Sequence, residues 1–244
     1  MGEEVVGVIP ARYRSVRFPG KPLALLRGKP LIQWVWEGAR KARRLNRLLV
    51  ATDDALIAET VRRFGGEAVM TPPHLPSGTD RVWAAVRGTK ARIAVNIQGD
   101  EPLVRPAMVD RLVEALQRRP QAGMATLRYR MKGPKDYTNP NVVKVITDEK
   151  GWALYFSRSP VPHFRKAKTD FIWYKHLGLY AYRRPVLERF IQWLPSALER
   201  AEQLEQLRAL EHGVKMQVVD SPAHTVGVDT PEDLERVERL LKDA

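Results

Sequence analysis

Residues 93–97, Ile-Ala-Val-Asn-Ile, form a short apolar run that leads into Gln98-Gly99-Asp100-Glu101-Pro102. A run this short, β-branched and closed by a turn signal, reads as a buried strand. Asp100 then sits just past the carboxyl end of that strand, the edge where open α/β sheets bind ligands. Gly99 beside it is read as letting a bulky ligand approach the backbone. A carboxylate so placed suits a hard cation such as Mg²⁺, which prefers oxygen ligands and often arrives with phosphate. On these five residues alone, an Asp that merely caps the following helix is an equal reading.

The rest of the chain supplies the sheet. Residues 4–9 read as a first strand that Pro10 ends, followed by a long loop over 11–22. Pro30 fits the first turn of a helix with Ile32, Val35, Trp36 and Ala39 on one face. Residues 48–51 are a second strand, with Thr52-Asp53-Asp54 as a cap for a helix over 55–64. Gly65-Gly66 stops that helix before a strand at 67–70. Ser77-Gly78-Thr79-Asp80 then starts a helix running to Val86. Strands alternating with helices predict a parallel, doubly wound α/β sheet.

After a helix near 106–118 the pattern changes. Residues 124–130, 142–147, 152–157 and 175–183 read as strands with little helix between them, an antiparallel extension plus a small lobe. Helices at 185–192 and 197–211, a strand at 215–220 and a last helix from Pro231 complete the chain. We expect one domain of 1–244, with a nucleotide-binding part over 1–122, the antiparallel lobe over 123–183 and a C-terminal completion over 184–244. Segments 159–162 and 166–169 combine Pro and charge with weak periodicity and are expected to form a mobile loop.

Composition excludes several classes. The 244 residues contain no cysteine, so disulfides, thiolate metal sites and cysteine nucleophiles are absent. The acidic start, Met1-Gly2-Glu3-Glu4, lacks the basic and apolar stretches of a signal peptide, and no apolar run is long enough to span a membrane. A cytoplasmic enzyme or binding protein is expected. The net charge of +13 fits either a nucleic-acid surface or a site for a polyanionic small molecule. No arginine-rich tail, zinc finger or aromatic-interleaved RNA motif accompanies it, so a basic nucleic-acid-binding α/β protein stays only as the rival from another class.

The loop after the first strand favours the small molecule. Arg12-Tyr13-Arg14-Ser15-Val16-Arg17-Phe18-Pro19-Gly20-Lys21-Pro22 matches neither the Walker loop nor the dinucleotide fingerprint. It places Arg12, Arg17 and Lys21 together. Arg clamps phosphate through paired hydrogen bonds and Lys adds a point charge, so the loop suits a triphosphate.

Arg12, Ser15, Arg17 and Pro19-Gly20-Lys21-Pro22 resemble the signature of sugar nucleotidyltransferases with a Rossmann-like fold. The stretch 5–30 is similar to the 3-deoxy-manno-octulosonate (Kdo) cytidylyltransferases. The likeness continues through Ala51-Thr52-Asp53, Ser77-Gly78-Thr79-Asp80-Arg81, residues 96–102, 123–127, 139–145 and 153–158. It ends with Lys175-His176-Leu177-Gly178-Leu179-Tyr180, Leu204-Glu205-Gln206-Leu207-Arg208 and residues 227–235. Val16 departs from it, standing where the family has Ser or Thr. So does Leu75, where many members have His; no role is carried onto His74. The segment between His163 and Trp173 is shorter than in some members.

The resemblance implies a reaction: CTP and Kdo give CMP-Kdo and pyrophosphate with Mg²⁺, in the synthesis of lipopolysaccharide-type cell-surface glycans. It implies Arg12, Lys21, Asp100 and Asp229 as the catalytic set, with Asp100 and Asp229 on the metal. Pro10, Ala11, Arg12, Arg17, Lys21, Ser77, Gly78, Thr79, Arg81 and Gln98 would contact the nucleotide. Gln98, Arg158, His176, Tyr180, Glu205 and Gln206 would contact the sugar, with Arg158 opposite its carboxylate. His176 and Tyr180 lie four apart, so on a strand they face one side. Glu205 and Gln206 equally suit the solvent side of a helix whose apolar face is Leu204 and Leu207. Asp229 also reads as the N-cap of the last helix, unless Thr230 takes that place. The family implies a homodimer, with the antiparallel lobe as interface. The nearest rival substrates are another acidic sugar, 8-amino-Kdo or a sialic acid.

Overall fold

A computed structural model describes residues 3–14, 18–165 and 170–242. The chain divides into two compact units, 1–110 with 225–244, and 111–224. The sequence boundaries at 122/123 and 183/184 are not where the contacts divide: 184–224 goes with the second unit and 225–244 with the first.

The first unit opens with β1 (Val5–Ala11), followed by the single 3₁₀ turn Lys21–Leu23. A two-stranded ribbon, β2 (Leu25–Leu26) and β3 (Lys29–Pro30), leads into α1 (Leu31–Ala39), with Pro30 at its N-cap. Then come β4 (Arg47–Thr52), α2 (Ala55–Arg63), β5 (Glu67–Met70), α3 (Gly78–Val86) and β6 (Ile93–Asn96). The strands lie in the order β6-β1-β4-β5, every pair parallel. Val6, Val8, Ile9, Val50, Ile93 and Val95 are fully buried, as apolar runs in a two-sided parallel sheet must be. Ala11 pairs with Thr52 and Val8 with Asn96, so the loops after β1, β4 and β6 leave at one edge. The helix α4 (Pro106–Arg118) follows, and the unit boundary falls within it.

The second unit continues with β7 (Met124–Lys132), β8 (Lys144–Thr147), β9 (Ala153–Ser157) and β10 (Ile172–Arg183). After α5 (Arg184–Phe190), α6 (Ala197–Glu202) and α7 (Gln206–Glu211) comes β11 (Met216–Asp220). β7 pairs antiparallel with β10 and parallel with β11, while β8 pairs antiparallel with both β9 and β10. This is the expected antiparallel extension of an α/β fold.

One sequence reading changes here, and another falls partly outside the described residues. The single helix expected over 197–211 is two helices, broken where Gln203 takes a left-handed conformation (φ 52°). Arg158 stabilises the break, donating to the Glu202 and Gln203 carbonyl oxygens that the helix end leaves open. The loop segment expected to be mobile includes 166–169, which lies outside the described residues.

The final helix, α8 (Pro231–Lys242), returns to the first unit. Val226, Val228 and Val237 are buried with Leu26 and Leu31, with Phe18, Trp34, Leu103, Leu234 and Leu241 packed around them. This apolar cluster brings Asp229 back to a sheet built mainly from the first hundred residues. Among the described residues, no helix is long and apolar enough to cross a membrane.

Candidate active site

At the sheet edge of the first unit a cavity of about 260 Å³ is lined by Pro10, Ala11, Arg12, Lys21, Ser77, Gly78, Arg81, Gln98, Asp100 and Asp229, with Pro22, Leu75 and Gly99 completing its wall. Nearly all the predicted nucleotide residues thus converge. Thr79 does not line the cavity: it is buried in the first turn of α3 and packs inward. Arg17 lies outside the described residues. Leu75 stands on the wall, and His74 is not among the residues that line it.

The loop carrying Lys21 is shaped by Gly20, whose φ of 71° only glycine adopts without strain, and whose N–H donates to the Tyr13 carbonyl oxygen (2.9 Å). The turn aims the Lys21 ammonium at two carboxylates. Nζ lies 2.7 Å from Asp100 Oδ2 and 3.2 Å from Asp229 Oδ1. A backbone bond, Val228 N–H to the Asp100 carbonyl oxygen (2.8 Å), fixes the two acidic segments side by side. Asp229 does not cap α8. Thr230 Oγ1 accepts from the Asp233 N–H (3.3 Å), and Asp233 Oδ2 accepts from the N–H groups of Asp229 and Thr230 (3.1 Å each). That reciprocal cap releases the Asp229 carboxylate for Lys21.

Gly99 has a further role. A Cβ there would meet the Pro10 carbonyl oxygen at 2.7 Å. The missing side chain lets the loop after β6 pack against the end of β1, on the wall of the cavity.

On the opposite wall Ser77 caps α3, accepting from the Asp80 N–H (3.2 Å) and donating to Asp80 Oδ2 (2.6 Å). Arg81 is 3% exposed. Its guanidinium donates to Thr71 Oγ1 and to Asp53 Oδ2 (3.3 Å). A buried guanidinium needs such a counter-charge. Asp53 was read from sequence only as cap material, yet Asp54 is the cap of α2, accepting from the Ile57 N–H (3.0 Å). The signal for Asp53 was there: it follows β4 at the ligand-binding edge.

The remaining predicted residues belong to the second unit. Arg158 is expected opposite the sugar carboxylate. It is tied to the protein, donating from Nε to the Glu202 carbonyl oxygen (2.7 Å), from Nη1 to Pro140 (2.9 Å) and from Nη2 to Gln203 (3.3 Å). Two guanidinium hydrogens remain beyond these three bonds. Its neighbour Lys144 is fully buried and gives its ammonium to the carbonyl oxygens of Asn139 (3.1 Å), Val142 (2.7 Å) and Arg158. Burial lowers the Lys144 pKa, with Glu202 opposing that shift. Burial alone would raise Glu202, but hydrogen bonds from Ser157, the Arg158 N–H and Tyr155 outweigh it and hold the carboxyl below its ordinary value.

His176 and Tyr180 do share one face of β10, their ring centroids 5.5 Å apart. They do so across an irregularity: His176 pairs with Arg128 and Tyr180 with Thr126, so two extra residues of β10 bulge between them. Burial lowers the His176 pKa to about 3, with Lys175 adding to the shift. Burial, then the nearby Tyr182 and Glu205, push the Tyr180 phenol well above its ordinary value. Gln206 is 5% exposed, not solvent-facing, and its Nε2 is buried without a hydrogen-bond partner. A buried donor left open is unusual in a folded chain and fits a ligand that supplies an acceptor.

Comparison with known proteins decides the family. Residues 6–216 match the cytidylyltransferase family. A 3-deoxy-manno-octulosonate cytidylyltransferase of Geobacter sulfurreducens is 48% identical over 248 residues, 98% of this chain and 99% of that protein. The chain belongs to the 3-deoxy-manno-octulosonate cytidylyltransferase family. The enzyme of the same name from Syntrophobacter fumaroxidans is 53% identical over 241 residues, covering 97% of this chain and 96% of its own. A solved structure described as CMP:2-keto-3-deoxy-manno-octonic acid synthetase complexed with CTP superposes with a TM-score of 0.93 at 42% identity, over 99% of both chains. The mixed α/β architecture is therefore that of this cytidylyltransferase family.

Proposed function

We infer that this chain transfers CMP from CTP to the anomeric hydroxyl of Kdo, giving CMP-Kdo and pyrophosphate. The observation that carries the reading is the convergence of Lys21, Asp100 and Asp229 on a cavity also lined by Arg12, Ser77 and Arg81, in a chain of this family.

In the reaction the sugar hydroxyl oxygen bonds to the α-phosphorus, the bond to the β-phosphate oxygen breaks, and the hydroxyl proton is lost. No covalent enzyme intermediate is needed. Catalysis rests on positioning and on charge placed where it develops. Arg12 and Lys21 neutralise the triphosphate and the departing pyrophosphate. Ser77, Gly78 and Arg81 form the wall for ribose and cytosine, and Gln98 reaches the same space. The two carboxylates already share one cation, the Lys21 ammonium, and both stay part-exposed. This donor set fits Mg²⁺, which takes one or two carboxylates and fills its shell with phosphate oxygens and water. Among the described residues no group of three or more His, Cys, Asp or Glu side chains that could hold a metal ion is present. Asp100 and Asp229 would hold the ion, which supplies charge neutralisation at the phosphates and polarises the attacking oxygen.

For the sugar we assign His176, Tyr180, Glu205 and Gln206; a polyhydroxylated acid offers an acceptor to the open Gln206 Nε2. Arg158 offers its two remaining guanidinium hydrogens to the carboxylate. We assign homodimer contact to the second unit, which leaves Leu154 59% and Leu194 84% exposed; sedimentation of the chain and of a Leu194→Glu variant tests it.

A pyrophosphate-release assay crossing four nucleotide triphosphates with Kdo, 8-amino-Kdo and a sialic acid tests the activity. Release is expected with CTP and Kdo and is expected to require Mg²⁺. Release only with another acidic sugar would replace the substrate, and salt-sensitive polynucleotide binding without release would replace the class.

A further inference from the structure

Thr126 poses a question of proton assignment. It is fully buried on β7, opposite the bulge of β10. Its Oγ1 lies 2.8 Å from the Leu179 carbonyl oxygen, 3.3 Å from that of Leu177 and 3.0 Å from His176 Nε2. The bulge is what brings two carbonyl oxygens from one strand to a single hydroxyl. A hydroxyl has one hydrogen and two lone pairs, and the carbonyls can only accept. Were the hydrogen given to Nε2, the Oγ1 lone pairs would face the Leu179 oxygen at 2.8 Å, acceptor against acceptor, away from water. Donation to Leu179 removes that conflict and leaves Oγ1 to accept from the ring, so Nε2 carries a hydrogen.

The ring itself is neutral near pH 7, since burial lowers its pKa to about 3. Phe156 packs edge-on against it at 4.8 Å and Tyr180 lies at 5.5 Å; neither supplies a proton to the ring nitrogens by a hydrogen bond among the described contacts. A neutral imidazole with its hydrogen on Nε2 has a bare acceptor at Nδ1.

We propose that Thr126 is a positioning residue of the sugar site: by accepting from Nε2–H and donating to the bulge, it fixes His176 in the tautomer whose Nδ1 accepts. His176 then selects a substrate group that donates, a sugar hydroxyl, over one that only accepts. The proposal rests on the assignment of His176 to the acidic sugar, and Thr126 itself touches no substrate.

The test starts with the free full-length chain, so that it does not depend on the substrate. Two-bond ¹H–¹⁵N NMR of the histidine rings, with His176 assigned through a His176→Gln variant, is expected to show the Nε2–H tautomer. Thr126→Val removes the hydroxyl at nearly constant shape, and Thr126→Ser keeps it. Thr126→Val is expected to mix the tautomers and raise the KM for Kdo on the order of tenfold, the worth of one oriented hydrogen bond. The KM for CTP is expected to stay unchanged, and Thr126→Ser to restore both readouts. The Nδ1–H tautomer in the wild-type chain overturns the proposal, whether or not Thr126→Val folds. So does a folded Thr126→Val enzyme with wild-type KM for Kdo. A wild-type enzyme that releases no pyrophosphate with Kdo overturns the substrate reading instead, and the NMR result still decides the tautomer.

Discussion

In the first unit Lys21, Asp100 and Asp229 stand at the edge of a parallel sheet and keep contact with water: their side chains are 14%, 30% and 48% exposed. In the second unit the assigned polar groups are inside, with His176 8% and Gln206 5% exposed. Exposed charges at a sheet edge cost little to the fold, so they can be dedicated to binding a polyanion and exchanged for its counter-ions. Buried polar groups each carry a desolvation cost and must be matched one by one. The first arrangement suits phosphate, recognised by charge. The second suits a sugar, recognised by donors and acceptors in fixed places. Substitutions of Asp100 and Asp229 should therefore damage turnover and spare stability, and substitutions of the buried polar groups in the second unit should damage both.

The largest expected effect is that of Asp100→Asn, which keeps shape and removes charge. Turnover should fall on the order of a hundredfold or more, with a melting temperature within a few degrees of wild type. Near-normal kcat with unchanged Mg²⁺ dependence would break the comparison at its strongest point.

Asp229 and Thr230 sharpen it within two adjacent residues. Asp229→Asn and Asp229→Ala should both lose most activity with little change in stability, because the cap belongs to Thr230 and Asp233. Thr230→Ala should do the reverse, costing ~1 kcal/mol of stability with kcat retained. Parallel kcat and thermal-melt measurements on the three variants read the difference directly.

Arg158→Ala should raise the KM for Kdo roughly tenfold and leave that for CTP alone. It should also destabilise the fold by ~2 kcal/mol or more, since three carbonyl oxygens lose their donor. A loss confined to CTP affinity would move Arg158 to the triphosphate, and unchanged stability would remove its structural share.

The last effect is a pH slope, modest per pH unit. His176 has a folded pKa of about 3 against an ordinary 6.5, so the unfolded chain takes up the proton first. Its contribution is fully present above pH 6.5 and is lost as pH falls toward 3, by at most ~1.4 kcal/mol per pH unit. Urea unfolding at pH 7.5, 5.5 and 4.5 should show a shallower acid loss in His176→Gln than in wild type. Equal slopes would place His176 in contact with water.

What the sequence by itself determined is mainly the first unit. The strands at 4–9, 48–51 and 93–97 were legible because a strand buried on both faces is written as a local apolar run, and the loops after them stand where such a sheet binds ligands. The cap at Ser77 and the Gly20-Lys21-Pro22 turn were legible because each depends on a few consecutive residues. The tertiary structure alone decided the rest. Gly99 is small because the Pro10 carbonyl passes over it, a contact between segments ninety residues apart in sequence. Asp229 is brought to Lys21 by a buried valine cluster that its own residue type does not announce. The helix expected over 197–211 breaks because Arg158, some forty residues earlier, satisfies its open carbonyls. The acceptor face of His176 follows from a bulge that no periodicity encodes. Periodicity reports which side of an element is buried. Which partner satisfies a buried donor or acceptor is fixed only when distant segments meet, and there desolvation makes the match obligatory.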